Sequence, residues 1–160
     1  MYKKPQLLRL MLGLSLVLVS SLGCGGSSTE TPETGASTSL EAAREALAAF
    51  FSLLHAGQYG QATSYYGGDY EVLREWNPDV PGDDLAKLFE NGCTVNGLQC
   101  VEIKTVLQAL ETSPGLYTFN VEFAEDDGSL FTRGTQSQFT YTVRKVDEGF
   151  LVQELPVYTP

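Results

Sequence analysis

The 160-residue chain carries 10 basic against 20 acidic side chains, a formal net charge of −10, and is 42% hydrophobic. Such a surface repels nucleic acid and anionic headgroups, so neither is an electrostatic partner. The length suits one ordinary domain with flanking segments, and no internal repeat is present.

Lys3, Lys4 and Arg9 precede a 13-residue apolar run, Leu10 to Leu22, which ends in small residues and Cys24. A spanning helix needs about 20 apolar residues, so the run is too short to cross a bilayer. A positive head, a short apolar stretch and a small-residue exit have the layout of a cleavable export signal, inserted head-inward. The stretch Ser20-Ser21-Leu22-Gly23-Cys24 resembles the lipobox of bacterial lipoproteins, with Ser21 where a Leu is usual. The resemblance implies a signal peptide over residues 1–23 and a diacylglyceryl group on the Cys24 thiol. Each buried acyl methylene contributes about 0.8 kcal/mol, so two or more chains hold a protein on the membrane. The expected location is extracytoplasmic, on a cell membrane or an outer membrane. Gly25, where Asp would resemble an inner-membrane retention signal, favours the outer one if the cell has it. The blander readings are an ordinary signal peptide that leaves Cys24 a free thiol, and an uncut anchor.

Residues 1–23 hold three bases and no acid, so the remainder has 7 basic and 20 acidic residues, a net of −13. Solubility of an exported protein accounts for that charge. Residues 24–38 follow the cysteine with Gly, Ser, Thr, Pro and Glu and almost nothing apolar. This composition cannot offset chain entropy by burial and is expected to be a disordered tether. Residues 39–160 are then the folded domain.

Thr38-Ser39-Leu40-Glu41 has capping-box spacing, and Leu40, Ala43, Leu47, Phe50, Phe51 and Leu54 recur at helical steps until Gly57. A shorter helix with Tyr59, Ala62, Tyr65 and Tyr66 is expected before Gly67-Gly68, and Asp69 caps a turn through Trp76. Asn77-Pro78 and Pro81-Gly82 break the chain, and Asp83 or Asp84 caps a helix from Leu85 to Glu90. The period then becomes two. Strands are expected at Val101–Leu107, Tyr117–Phe123, Phe139–Val143 and Phe150–Val157. Asp126-Asp127-Gly128 reads as a three-residue hairpin loop that sets Phe123 opposite Phe131. Helices first and antiparallel strands after is an α+β order, with N-terminal helices packed on a curved four-stranded sheet.

With Cys24 assigned to lipid, Cys93 and Cys100 suggest a disulfide in an oxidising compartment. Asn96-Gly97 signals a tight hairpin, which would place Val95 opposite Leu98, Thr94 opposite Gln99 and Cys93 opposite Cys100. Paired strand residues lie within disulfide reach, and the bridge reads as structural.

His55, the sole histidine, stands near the end of the first helix with no orienting partner marked. There is no phosphate loop, nucleophile elbow or metal-ligand spacing, so no catalytic residue, cofactor or metal ligand is assigned. Glu125-Asp126-Asp127 lacks the alternation of a calcium loop and reads as a hairpin tip. Tyr65, Tyr66 and Trp76 are candidate ligand-lining residues, weighed against aromatics that belong to the core.

His55-Ala56-Gly57-Gln58-Tyr59 closing a first helix, then Gln61-Ala62-Thr63-Ser64-Tyr65-Tyr66 and four strands, resembles the NTF2-like group. The likeness is to small bacterial lipoproteins of unknown function built on that cone-shaped domain. Enzymes of this fold place an acidic base and a tyrosine donor inside the cone, and neither role falls on a particular residue here. The expectation is a membrane-anchored, non-enzymatic domain that binds an envelope protein or a small apolar ligand. The alternative is a small enzyme with an acidic base raised in pKa by burial in an apolar pocket. A third reading is a structural subunit dimerising through the outer sheet face.

Overall fold

The structure, a computed structural model, describes residues 33–160. The expected signal peptide, Cys24 and the expected tether as far as residue 32 lie outside the described residues. Among the described residues, four helices and one 3-10 turn precede four strands: α1 Glu33–His55, α2 Tyr59–Ala62, the 3-10 turn Thr63–Tyr65, α3 Glu71–Trp76, α4 Leu85–Thr94, β1 Glu102–Ser113, β2 Leu116–Ala124, β3 Phe139–Val146 and β4 Gly149–Val152. The sheet is antiparallel and open, in the order β1-β2-β3-β4. The α+β class stands.

Helix α1 begins at Glu33, so residues 33–38 are helical and Thr38 lies inside the helix instead of capping it. Extending an existing helix escapes the nucleation cost. The far end is a Schellman closure: Gln58 N–H bonds Leu53 O at 2.8 Å, Gly57 N–H bonds Leu54 O at 3.1 Å, and Gly57 has φ +70°. The next helix tightens after Ala62, where Thr63 Oγ1 and Ser64 Oγ donate back to Gly60 O and Gln61 O. Asp69 Oδ1 accepts the Glu71 N–H at the head of α3, and Asp84 Oδ1 accepts the Lys87 N–H at the head of α4.

The expected hairpin at Asn96-Gly97 is absent. Helix α4 runs through Gly92 and Cys93 to Thr94, and Asn96 and Gly97 close it: Asn96 N–H bonds Asn91 O at 2.9 Å and Gly97 has φ +88°. An Asn-Gly pair serves a helix C-terminus as readily as a hairpin, because both need a left-handed residue.

Strand β1 departs from simple alternation. Bulges at Lys104, Leu107 and Thr112 re-phase it, so Ile103, Val106 and Ala109 turn toward the core while Thr105 and Leu107 face solvent. The hairpin after β2 keeps the expected register, with Gly128 at φ +79° and Phe131 N–H on Phe123 O at 3.0 Å. The last strand stops at Val152, short of the expected Val157. Beyond it, Glu154 Oε2 accepts the Thr142 N–H, and Pro156 has no N–H to give. The C-terminal segment then crosses back to the end of α4, where Gln99 N–H bonds Val157 O at 2.7 Å and Thr159 N–H bonds Gly97 O at 3.0 Å.

The core is largely aromatic. Phe51 on α1 meets Phe123 on β2 at 4.8 Å and Tyr141 on β3 at 4.9 Å between ring centroids. On the other side of α1, Phe50 stacks on Tyr66 at 5.7 Å and meets Phe89 of α4 at 5.8 Å. The two rings, adjacent in sequence, join the sheet layer to the helical layer.

Candidate functional site

A groove of about 720 Å³ runs between α1, the 3-10 turn and the β3–β4 hairpin. Ala42, Ala46 and Ala49 lie on one stripe of α1 and form its floor, since side chains four and three residues apart share a helix face. Tyr65 and Ser64 form one wall, and Val146, Phe150 and Leu151 the other. The groove exists because alanines leave space where larger side chains would fill it. Glu45 and Glu148 stand exposed at its edges. Neither carboxylate has an ion-pair partner among the described residues, whose two ion pairs are Arg44–Glu41 and Lys87–Glu90. The arrangement offers an apolar floor, a tyrosine wall and two uncompensated negative charges.

The three aromatic candidates separate. Tyr65 lines the groove. Tyr66 is buried in the core, its hydroxyl donating to Asp69 O at 2.9 Å and its ring against Tyr70 and Phe89. Burial, with the nearby Asp69, Tyr70 and Glu154, pushes its pKa upward. Trp76 packs on Tyr158 at 5.1 Å and is not among the groove's walls. The small residues at 42, 46 and 49 were the readable trace of the groove, hidden because alanine also reads as an unremarkable helix former.

Two further tyrosines are perturbed. The Tyr70 hydroxyl is buried without a hydrogen-bond partner among the described residues, and burial pushes its pKa up to about 12 against the opposing pull of Arg74. The Arg74 guanidinium lies 5.7 Å from the Tyr70 ring centroid. Tyr141 is pushed upward by burial and then by the Glu154 charge.

Cys93 and Cys100 form a disulfide with Cα atoms 5.6 Å apart, joining the last turn of α4 to the segment entering β1. His55 Nδ1 lies 3.2 Å from Cys100 O, and since a carbonyl only accepts, this contact places the proton on Nδ1. Beside the disulfide, the buried Asn77 donates through Nδ2 to Leu73 O and Asn96 Oδ1, and its Oδ1 accepts from Asn91 Nδ2. The three asparagines tie α3, α4 and the α4 exit together, as a buried amide requires. No cluster of three His, Cys, Asp or Glu side chains fit for a metal ion occurs among the described residues. No helix among them is long and apolar enough to cross a membrane.

Comparison with protein-family models, with curated proteins and with solved structures gives no match for this chain.

Proposed function

We propose that this protein is a membrane-anchored extracytoplasmic lipoprotein. Its folded domain is a non-enzymatic binder of the NTF2-like kind, and its ligand has an apolar body and a cationic group. The groove carries this reading: an alanine floor and the Tyr65 and Phe150 side chains suit an apolar body, and Glu45 and Glu148 suit a cation. The cone reading draws support from helices that precede an antiparallel sheet and from the bulges that re-phase β1. The anchor reading draws support from Lys3, Lys4, Arg9 and the Ser20–Cys24 stretch. The alternative enzyme needs an acidic base within apolar walls, whereas the groove's two carboxylates are exposed.

The binding test titrates the Cys24→Ser protein with three twelve-carbon probes below their micelle concentrations, bearing trimethylammonium, maltoside or sulfate heads. Saturable binding of the trimethylammonium probe, at least roughly tenfold tighter than the maltoside, is expected. Equal affinity for the three, or none, refutes the groove reading. The anchor is tested by labelling cells with a palmitate analogue: the native chain takes the label and the Cys24→Ala chain does not.

A further inference from the structure

The chain contains two Asn-Gly pairs, Asn91-Gly92 and Asn96-Gly97, and the fold treats them oppositely. Gly92 is buried inside α4, where its amide belongs to the helical hydrogen-bond ladder and a helical Asn91 points its side chain away from the following nitrogen. Asn91 is held further by donating through Nδ2 to Asn77 Oδ1 at 2.9 Å. Gly97 follows the helix end at φ +88°, half-exposed, and its N–H has no acceptor among the described residues. Asn96 Oδ1 accepts from Asn77 Nδ2 at 3.0 Å, which draws electron density from the side-chain carbonyl carbon. The Asn96 Nδ2 group has no acceptor among the described residues.

The geometry points to Asn96 as a site of self-modification, deamidating through a cyclic imide. The Gly97 nitrogen attacks Asn96 Cγ, and the Asn77 amide hydrogen stabilises the oxygen that gains charge. The new C–N bond closes a five-membered ring, the Cγ–Nδ2 bond breaks, and ammonia leaves with the proton from the Gly97 amide. Water then opens the imide at either carbonyl, leaving aspartate or isoaspartate at position 96. A residue larger than glycine at 97 would slow the attack, but the fold forbids it: a Cβ there would run into the main-chain oxygen of Thr159, at a φ that L side chains rarely adopt. The glycine that closes α4 therefore also exposes Asn96 to attack. The isoaspartyl product adds one main-chain carbon just before Gly97 and Gln99, which hold the C-terminal segment through Thr159 N–H and Val157 O.

The test incubates the folded, disulfide-bonded Cys24→Ser protein at mildly alkaline pH. Digestion at acidic pH and mass spectrometry with fragmentation then distinguish aspartate from isoaspartate. A reduced, urea-unfolded sample runs alongside and reports the intrinsic rate of both pairs. In the folded protein, position 96 converts at least roughly tenfold faster than position 91, because Asn91 reacts only when α4 opens. The unfolded chain converts both at comparable rates, and Asn96→Gln removes the folded-state product. Equal conversion of the two pairs in the folded protein, or no conversion at 96 while the unfolded chain reacts, overturns the assignment.

Discussion

Glu154 Oε2 accepts the main-chain N–H of Thr142 at 2.6 Å, a place where an antiparallel ladder continuing from β4 would have used a carbonyl oxygen. The carboxylate ends the sheet without orphaning the Thr142 donor, and it frees the chain to turn back toward α4. Glu154→Ala leaves that N–H without its partner and is expected to cost about 1–3 kcal/mol in urea unfolding, the scale of a hydrogen bond to a charged group. Glu154→Gln retains an acceptor oxygen and should lose clearly less. Equal losses for the two variants would show that the contact contributes nothing specific.

The Tyr70 hydroxyl sets a pH dependence. Its folded pKa, about 12, lies above the ordinary 10.0, so the unfolded chain gives up this proton first as pH rises. The stabilising contribution is complete below pH 10 and is lost as pH climbs toward 12. Tyr66 and Tyr141 act in the same direction. Tyr70→Phe removes a buried hydroxyl that has no partner among the described residues, so its stability at neutral pH should match or exceed the native value. Thermal melts across the alkaline range should then show a shallower decline for the variant; parallel curves would contradict the assignment.

The disulfide closes a short loop, with a sequence separation of 7 between Cys93 and Cys100. Chain-entropy reasoning gives about 2 kcal/mol for a loop this small. Reduction, or the Cys93→Ala/Cys100→Ala double change, should lower stability by about that amount and leave a folded domain. Hydrogen exchange should quicken first at Leu98, Gln99 and Thr159, whose N–H groups bond Gly92 O, Val157 O and Gly97 O and depend on the α4 exit being held. Complete unfolding on reduction would mean that the bridge organises far more than this corner.

At the groove, Glu45→Lys/Glu148→Lys reverses both uncompensated charges. The sites are exposed, so stability should change by no more than about 0.5 kcal/mol. Affinity for the trimethylammonium probe should fall at least roughly tenfold, with the maltoside probe little affected. Ala49→Leu, which fills the floor, should weaken both probes alike. A charge-reversed protein that binds the cation as tightly as the native one would place the site elsewhere.

Much of the fold was legible wherever one rule acted alone. The period-two run from Tyr117 to Phe123, the Gly57 closure, a cap at Asp83 or Asp84 and the Asp126-Asp127-Gly128 turn were each readable from local chemistry. The misreadings fall where two structures share one signal. Asn96-Gly97 serves a hairpin or a helix end, and only the packing of Gly92 beneath Leu98 decides between them. The bulges in β1 were unreadable because Thr105 and Leu107 fit a strand on either face, and the register against β2 decides which side is buried. Of the candidate site, Tyr65 was legible as a ligand-lining aromatic and lines the groove, but Tyr66 beside it answers to the core. The groove itself depends on small side chains, whose contribution is the volume they leave empty.

The three bulges along β1 do more than re-phase its side chains. That strand is an edge of the sheet, twelve residues long, with its outer row of main-chain groups facing away from β2. A straight edge of that length would template the addition of a strand from a neighbouring molecule. Each extra residue breaks the regular spacing of donors and acceptors, and Lys104 adds a charge at one of the breaks. A strand interrupted in this way is a poor template for strand addition from a neighbouring molecule.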